Sequence, residues 1–324
     1  AVMDLETDCR LFFERTDTSD MAIDTCVLAQ KDYIVGMRRY FHAHPEVSLK
    51  EFQTSARIEE ELDKVGIEHT RVGETGVYAR VVGKKVGEGK TKIVALRADM
   101  DALGMEDLKN CEYSSQNPGF CHACGHDGHT ATLLAAARIL KSMENDFAGE
   151  VRFFFQQAEE IGQGARQFVA AGLLEGVDRI YGQHVTNTLN VGQVGVVAGP
   201  LNASCDFFRI EVKGKGAHVS MPHKGVDALY VASQIVVAVQ SIVARSTDPM
   251  ESAVVGIGKA WAGTQYNIVA EEAVLEGTVR TFLPEVREAT NRRLTDIVEK
   301  TAEMLGAKAS IVIKNYSNPL INDA

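Results

Sequence analysis

The chain lacks a long uninterrupted apolar run. Among its 324 residues the most apolar stretch, YVASQIVVAVQSIVA at 230–244, is broken by polar residues, which predicts a core helix and not a membrane span. It also lacks an excess of positive charge. Its 34 Lys and Arg stand against 44 Asp and Glu, a net charge of −10, and no Lys/Arg cluster of the kind that tracks phosphates is present. Nucleic acid and membranes are therefore not expected partners. The opening AVMDLETDCRLFFERTDTSD carries no basic segment followed by an apolar one, so it does not read as a secretory signal. Residues 1–28 are expected to be an N-terminal extension. Without an export signal, the six cysteines at 9, 26, 111, 121, 124 and 205 are expected to be reduced, in a cytoplasmic protein. The chain is long enough to build a core without a disulfide scaffold.

What is present is ordinary globular composition, 45% hydrophobic and 24% charged, at a length that suggests two domains. Residues 29–65 read as two helices separated by the turn HAHPE, the second ending at Gly66. Strand-like runs follow in GIEHTRV, GVYARVVG and KIVALRAD. The last turns abruptly acidic in RADMDA, at 97–102. EVRFFFQQAEE (150–160) is a second buried strand ending in acid, and RIYGQHV (179–185) a third ending at a histidine. Helices alternate with these strands, which predicts a layered α/β fold with its chemistry at the strand ends. From about residue 203 the order changes to β-α-β-β-α-β, the split βαβ pattern. The expected organisation is a first domain of 29–202 plus 315–324, interrupted by a two-layer domain at 203–314.

The densest chemistry lies in FCHACGHDGHTA, 120–131, where Cys121, His122, Cys124, His126, Asp127 and His129 fall within ten positions. Asp99 and Asp101, Glu159 and Glu160, and His184 sit at ends of strands expected to share one sheet. Cys, His, Glu and Asp together suit a borderline metal such as zinc, manganese, cobalt or nickel. If the chain turns at Glu159-Glu160, one carboxylate can ligate a metal while the other acts as general base. Cys121-x-x-Cys124 also fits a thiol redox pair or half of a structural zinc site.

RADMDAL, CHACGHDGHTA, AEEIGQGA, GQHV, GAHVSMPHKGVDA and VLEGTVRTF occur in that order. Together they resemble the di-metal amidohydrolases of the aminoacylase and hippurate hydrolase type (peptidase family M20, subfamily D), which include carboxypeptidases and hydrolases of auxin–amino acid conjugates. The resemblance runs from about residue 30 to the end. It implies a mixed-sheet, zinc-peptidase-like catalytic domain with an inserted ferredoxin-like βαββαβ domain that serves as lid and dimerisation module. It implies two divalent metal ions (manganese, zinc, cobalt or nickel), a small N-acyl amino acid or short peptide as substrate, and a homodimer.

Carried over residue by residue, the resemblance makes Cys124 the thiolate that bridges the metals and His126, Glu160 and His184 further ligands. It makes Glu159 the general base. Asp99-Met100-Asp101 stands where the broader family has a His-x-Asp tripeptide, with Asp101 as the carboxylate that orients a ligand. His218 resembles the lid histidine that stabilises the oxyanion, and Asn267 and Arg280 resemble the residues that grip the substrate carboxylate. His122 and His129 belong to the motif in supporting or structural roles. Cys121 is additional to it and is assigned none. No histidine follows His223, so the last histidine ligand of the family is expected to lie beyond a C-terminal truncation. A non-catalytic, metal-binding relative is the alternative that this leaves open, and a thiol redox protein is a third.

Overall fold

The computed structural model describes residues 2–3, 25–87 and 91–323. The expected N-terminal extension lies almost wholly outside the described residues. Two compact units emerge, residues 2–194 and 195–324.

The first unit opens with two helices, α1 (Lys31–Ala43) and α2 (Phe52–Asp63). Strands β1 (Glu68–Val72), β2 (Gly76–Val82) and β3 (Ile93–Asp99) follow, then helix α3 (His126–Ser142). Strand β4 (Glu150–Gln156), the short helix α4 (Gly164–Ala170) and strand β5 (Arg179–Gly182) complete it. The strands form one sheet in the order β1-β2-β4-β3-β5. β1, β2 and β4 pair antiparallel, and β4, β3 and β5 pair parallel. The sheet is thus mixed, as expected.

The run Phe153-Phe154-Phe155 shows why β4 sits in the middle. Phe153 and Phe155 point into a core with Phe41, Ile58, Leu62 and Leu134 from the three long helices. Phe154 points to the opposite face and packs with Val72, Ala95 and Phe168. A strand covered on both faces needs apolar residues at every position, not at alternate ones. Because β3 and β4 run parallel, their acidic C-terminal ends fall on one edge, with Asp99 paired to Gln156.

In the second unit β6 (Gly199–Asn202) precedes β7 (Cys205–Lys213) and the short β8 (Ala217–His218). Next come helix α5 (Ala228–Ser241), strand β9 (Ala253–Ala262), the short β10 (Ile268–Val269) and β11 (Glu272–Thr281). Helix α6 (Pro284–Met304), β12 (Lys308–Ser317) and β13 (Leu320–Asn322) finish it. The main sheet has the order β9-β11-β7-β12, antiparallel throughout. That is the split βαβ topology expected. Asp227 caps α5 by accepting from the amides of Leu229 and Tyr230, and Pro284 opens α6, where its missing N–H has no consequence. Ala228–Ser246 is long and apolar enough to cross a membrane, but Val231, Ile235 and Val239 are fully buried against Phe208, Ile210 and Leu275 of the sheet.

The expected domain limits shift. The units divide at 194/195, ahead of the expected 203, and residues 315–324 cluster with the second unit instead of the first. The physical reason is strand pairing. Residues 315–317 extend β12 along β7, and β13 pairs antiparallel with β6.

Phe208 is fully buried at the centre of the second unit's core. Phe208→Ala should lower stability by about 3–5 kcal/mol, whereas Val312→Thr, exposed on β12, should change it by less than about 0.5 kcal/mol. Urea unfolding of the two variants checks this.

Candidate metal centre

The site is built from the backbone at the C-terminal edge of the first unit's sheet. After β4 the chain turns sharply at Ala158, whose φ is +51°. This left-handed conformation is costly for a residue with a Cβ. Buried Glu51 holds it: its Oε1 accepts from the Ala158 amide at 2.8 Å, and its Oε2 accepts from Thr75 Oγ1 at 2.7 Å. Burial pushes the Glu51 carboxyl above its usual range. Beyond the turn, the amides of Glu159 and Glu160 donate to Asp101 Oδ1 and Oδ2 at 3.1 and 3.0 Å. The adjacent glutamates therefore do not continue as a strand with opposed side chains. Both come within reach of His126, and carboxylate oxygens of the two and a His126 nitrogen all lie within 4.8 Å of one another.

The other half comes from the start of α3. Gly125 adopts φ +93°, and a Cβ there would meet Val185 Cγ2 at 2.4 Å, so only glycine fits on both counts. It places Cys124 beside His184, with Sγ 3.3 Å from Nε2. Cys124, His126 and His184 form one group of candidate ligands within 4.8 Å.

Three imidazoles have their tautomers set by what surrounds them. His126 Nδ1 donates to the Asp101 carbonyl at 2.8 Å. His184 Nδ1 donates to the Val185 carbonyl at 2.6 Å. His129 Nδ1 donates to Asp99 Oδ1 at 2.6 Å, and its Nε2 accepts from the Val185 amide at 2.9 Å. Asp99 is in turn gripped by Arg97 at 2.7 Å. The Asp99–His129 pair thereby anchors the segment that carries His184. In their neutral rings His126 and His184 are left with Nε2 as the lone-pair nitrogen, turned toward the shared donors. His126 Nε2 is buried and makes no hydrogen bond, with Asp99 Oδ1 at 3.7 Å and Glu160 Oε1 at 3.8 Å.

The electrostatics suit a cation. Burial, then the charge of Glu160, pushes the Cys124 thiol up to about 12; such a thiol ionises at neutral pH only beside a positive ion. This is the opposite of the depressed pKa that a redox thiolate needs. Burial alone would lower His126, but its hydrogen bond to Asp101 and the charge of Asp99 raise it to about 9. Burial and then the charge of Asp99 raise Glu159 above the usual carboxylate range. A soft sulfur, two imidazole nitrogens and carboxylate oxygens, with a buried nitrogen otherwise unsatisfied, fit a pair of divalent ions.

The structure thus brings together Asp101, Cys124, His126, Glu159, Glu160 and His184. The remaining three expected residues belong to the second unit. There β8 pairs with β10, His218 opposite Ile268, and the Val219 amide donates to the Asn267 carbonyl at 3.1 Å, so His218 and Asn267 are neighbours. His218 Nδ1 accepts from the Ser220 amide at 3.2 Å, which in the neutral ring leaves the proton on Nε2. Arg280 lies exposed on β11 opposite Val254, outside that strand pair. Two supports carry no motif of their own in the sequence: Glu51, and Ser48, whose hydroxyl donates to Asp101 Oδ2 at 2.6 Å. Their only signal is proximity to the HAHPE turn.

The sequence profile of peptidase family M20/M25/M40 matches residues 95–318. The chain is 41% identical over 291 residues to an N-acetyl-L-cysteine deacetylase of Bacillus subtilis, covering 90% of this chain and 69% of that protein. It is 40% identical over 294 residues to an N-acyl-L-amino acid amidohydrolase of Geobacillus stearothermophilus, covering 90% and 78%. Among solved structures it is similar to a Bacillus subtilis protein described as a dinuclear metal binding peptidase of the M20 family. That match has a TM-score of 0.76 and 37% identity over 91% of this chain and 77% of that one.

Two outcomes test the geometry. Gly125→Ala should remove most bound metal, read by elemental analysis after dialysis, because both its φ and the Val185 contact oppose a Cβ. In the metal-free protein, His126 has a folded pKa of about 9 against an ordinary 6.5. Its stabilising contribution is therefore present in full below pH 6.5 and lost as pH rises through about 9. Thermal unfolding of wild type and His126→Gln should show their difference shrinking over that range. Metal affinity should rise over the same range, since the ion competes with the proton.

Proposed function

The chain belongs to peptidase family M20/M25/M40, and from that premise we propose that it hydrolyses the amide bond of N-acyl amino acids with two divalent ions. Cys124, His126, Glu160 and His184 would hold them. The observation that carries this reading is the convergence of Cys124, His126 and His184 with Glu159 and Glu160 on one sheet edge. The names of the relatives, an N-acetyl-L-cysteine deacetylase and an N-acyl-L-amino acid amidohydrolase, support the same substrate class.

When bound, the ions supply Lewis acidity that polarises the acyl carbonyl and lowers the pKa of water toward neutral. Every other task falls to the protein. Glu159, whose carboxyl is raised by burial, is the base that takes a proton from the attacking water and delivers it to the departing amine nitrogen. Asp101 fixes the Glu159 and Glu160 backbone and the His126 ring, so the base and two ligands keep one geometry. His218, with its proton on Nε2, is proposed as the donor to the oxyanion. Asn267 and Arg280 are proposed to hold the free carboxylate of the amino acid, for which the planar guanidinium is suited. The products are a carboxylic acid and a free amino acid.

A homodimer is part of the proposal. Val254 and Trp261 are exposed on β9, an outer strand of its sheet, and Leu229, Tyr230 and Val237 are exposed on α5. A strand edge and an apolar helix face of this kind support pairing with a second copy.

Amine release from N-acetyl, N-benzoyl and N-indoleacetyl amino acids is the test, with manganese or zinc and with chelator. Chelator-sensitive release is expected; release that persists in chelator would overturn the metal role. Glu159→Gln should lower turnover by at least about 10²-fold with metal content unchanged, and lost metal would mean that Glu159 is a ligand. Arg280→Ala should raise KM for substrates with a free carboxylate more than for their amidated analogues.

A further inference from the structure

A second group of donors lies outside the residues proposed for the reaction. His42 of α1 is fully buried, and its Nδ1 donates to Asp127 Oδ2 at 2.6 Å. Arg38 Nε reaches the same oxygen at 3.0 Å. A carboxylate on one ring nitrogen presents the other as a lone pair, the arrangement typical of a histidine that binds metal. That other nitrogen, Nε2, lies 3.4 Å from Asp107 Oδ2. With bonds of about 2.1 Å, a tetrahedral ion sets neighbouring nitrogen and oxygen ligands about 3.4 Å apart. Cys121 Sγ completes the group, all three ligand atoms lying within 4.8 Å of one another. The backbone fixes two of the three. Asp107 accepts from the amides of Lys109 and Ser115 at 3.1 and 2.9 Å, and Cys121 exchanges both backbone hydrogen bonds with Leu103 at 3.0 Å.

Two independent observations point to a ligand there. His122 is 4% exposed, and neither of its ring nitrogens has a hydrogen-bond partner. Its ring centroid is 6.5 Å from that of His42. A buried imidazole left wholly unsatisfied is costly unless something binds it. The group also already attracts a cation: Lys109 Nζ lies 3.2 Å from His42 Nε2 and 3.7 Å from Asp107 Oδ1. Lys109 is half exposed, so its ammonium has water beside it.

We propose that His42, Asp107 and Cys121 form an additional metal site for a thiophilic divalent ion such as zinc, with His122 as the adjoining donor and Lys109 as the cation that the ion displaces. On binding, the Cys121 thiol gives its proton to solvent and its sulfur lone pair to the ion, and the ammonium moves into water. No oxidation or reduction is involved.

The test uses the full chain with zinc or cobalt alone. Wild type, Cys121→Ser and Lys109→Met are stripped, titrated and analysed for metal content and, with cobalt, for thiolate-to-metal absorption. Wild type should hold one equivalent per chain more than Cys121→Ser, and Cys121→Ser should keep its N-acyl amino acid hydrolysis. Lys109→Met should hold the same number as wild type and bind that equivalent about tenfold tighter, because a competing charge is gone. Equal metal content in wild type and Cys121→Ser would overturn the site. Should Cys121→Ser not fold, Lys109→Met decides alone: unchanged affinity would overturn it.

Discussion

The carboxylate of Asp101 is the constraint on which the catalytic edge depends. Its two oxygens accept from the amides of Glu159 and Glu160 and from the Ser48 hydroxyl, and its carbonyl accepts from His126. One residue at the end of β3 thus ties the turn after β4, the start of α3 and the segment between α1 and α2. Its burial is costly for a charge, and these donors offset that cost, holding the carboxyl below its usual range. Charge-assisted hydrogen bonds of this kind are stronger than neutral ones.

Around Asp101 the fold concentrates negative charge. Asp99, Glu159 and Glu160 crowd His126 and Cys124, and Arg97 grips Asp99. Burial, and then the neighbouring negative charge, raise the Glu159 carboxyl and the Cys124 thiol. The bare protein meets this by pushing a proton onto His126. A divalent ion meets it better, because it neutralises several donors at once and takes the sulfur that no proton chemistry uses at neutral pH.

Much of this was legible in the sequence. Acidic strand ends, the Cys-Gly-His run before α3 and the order of the motifs located Asp101, Cys124, His126, Glu159, Glu160 and His184, and the alternation of elements predicted both layers. What escaped was held by contacts distant along the chain. Glu51 supports Ala158 from 107 positions away, and His129 fixes Val185 from 56 away; neither spacing leaves a periodic trace. The unit boundary moved because β6 and β13 pair with each other. Short runs such as GPLN and LIN carry too little alternation to announce a strand.

The commitment of each Nδ1 also decides what could replace these rings. An asparagine amide can reach roughly the place of Nδ1, and a glutamine amide roughly that of Nε2, but neither spans both. At His126 and His184 one nitrogen is bound to a backbone carbonyl and the other faces the donor cluster. At His129 one holds Asp99 and the other receives an amide. Histidine is therefore required at these positions for its reach in two directions as a rigid strut, apart from any question of basicity.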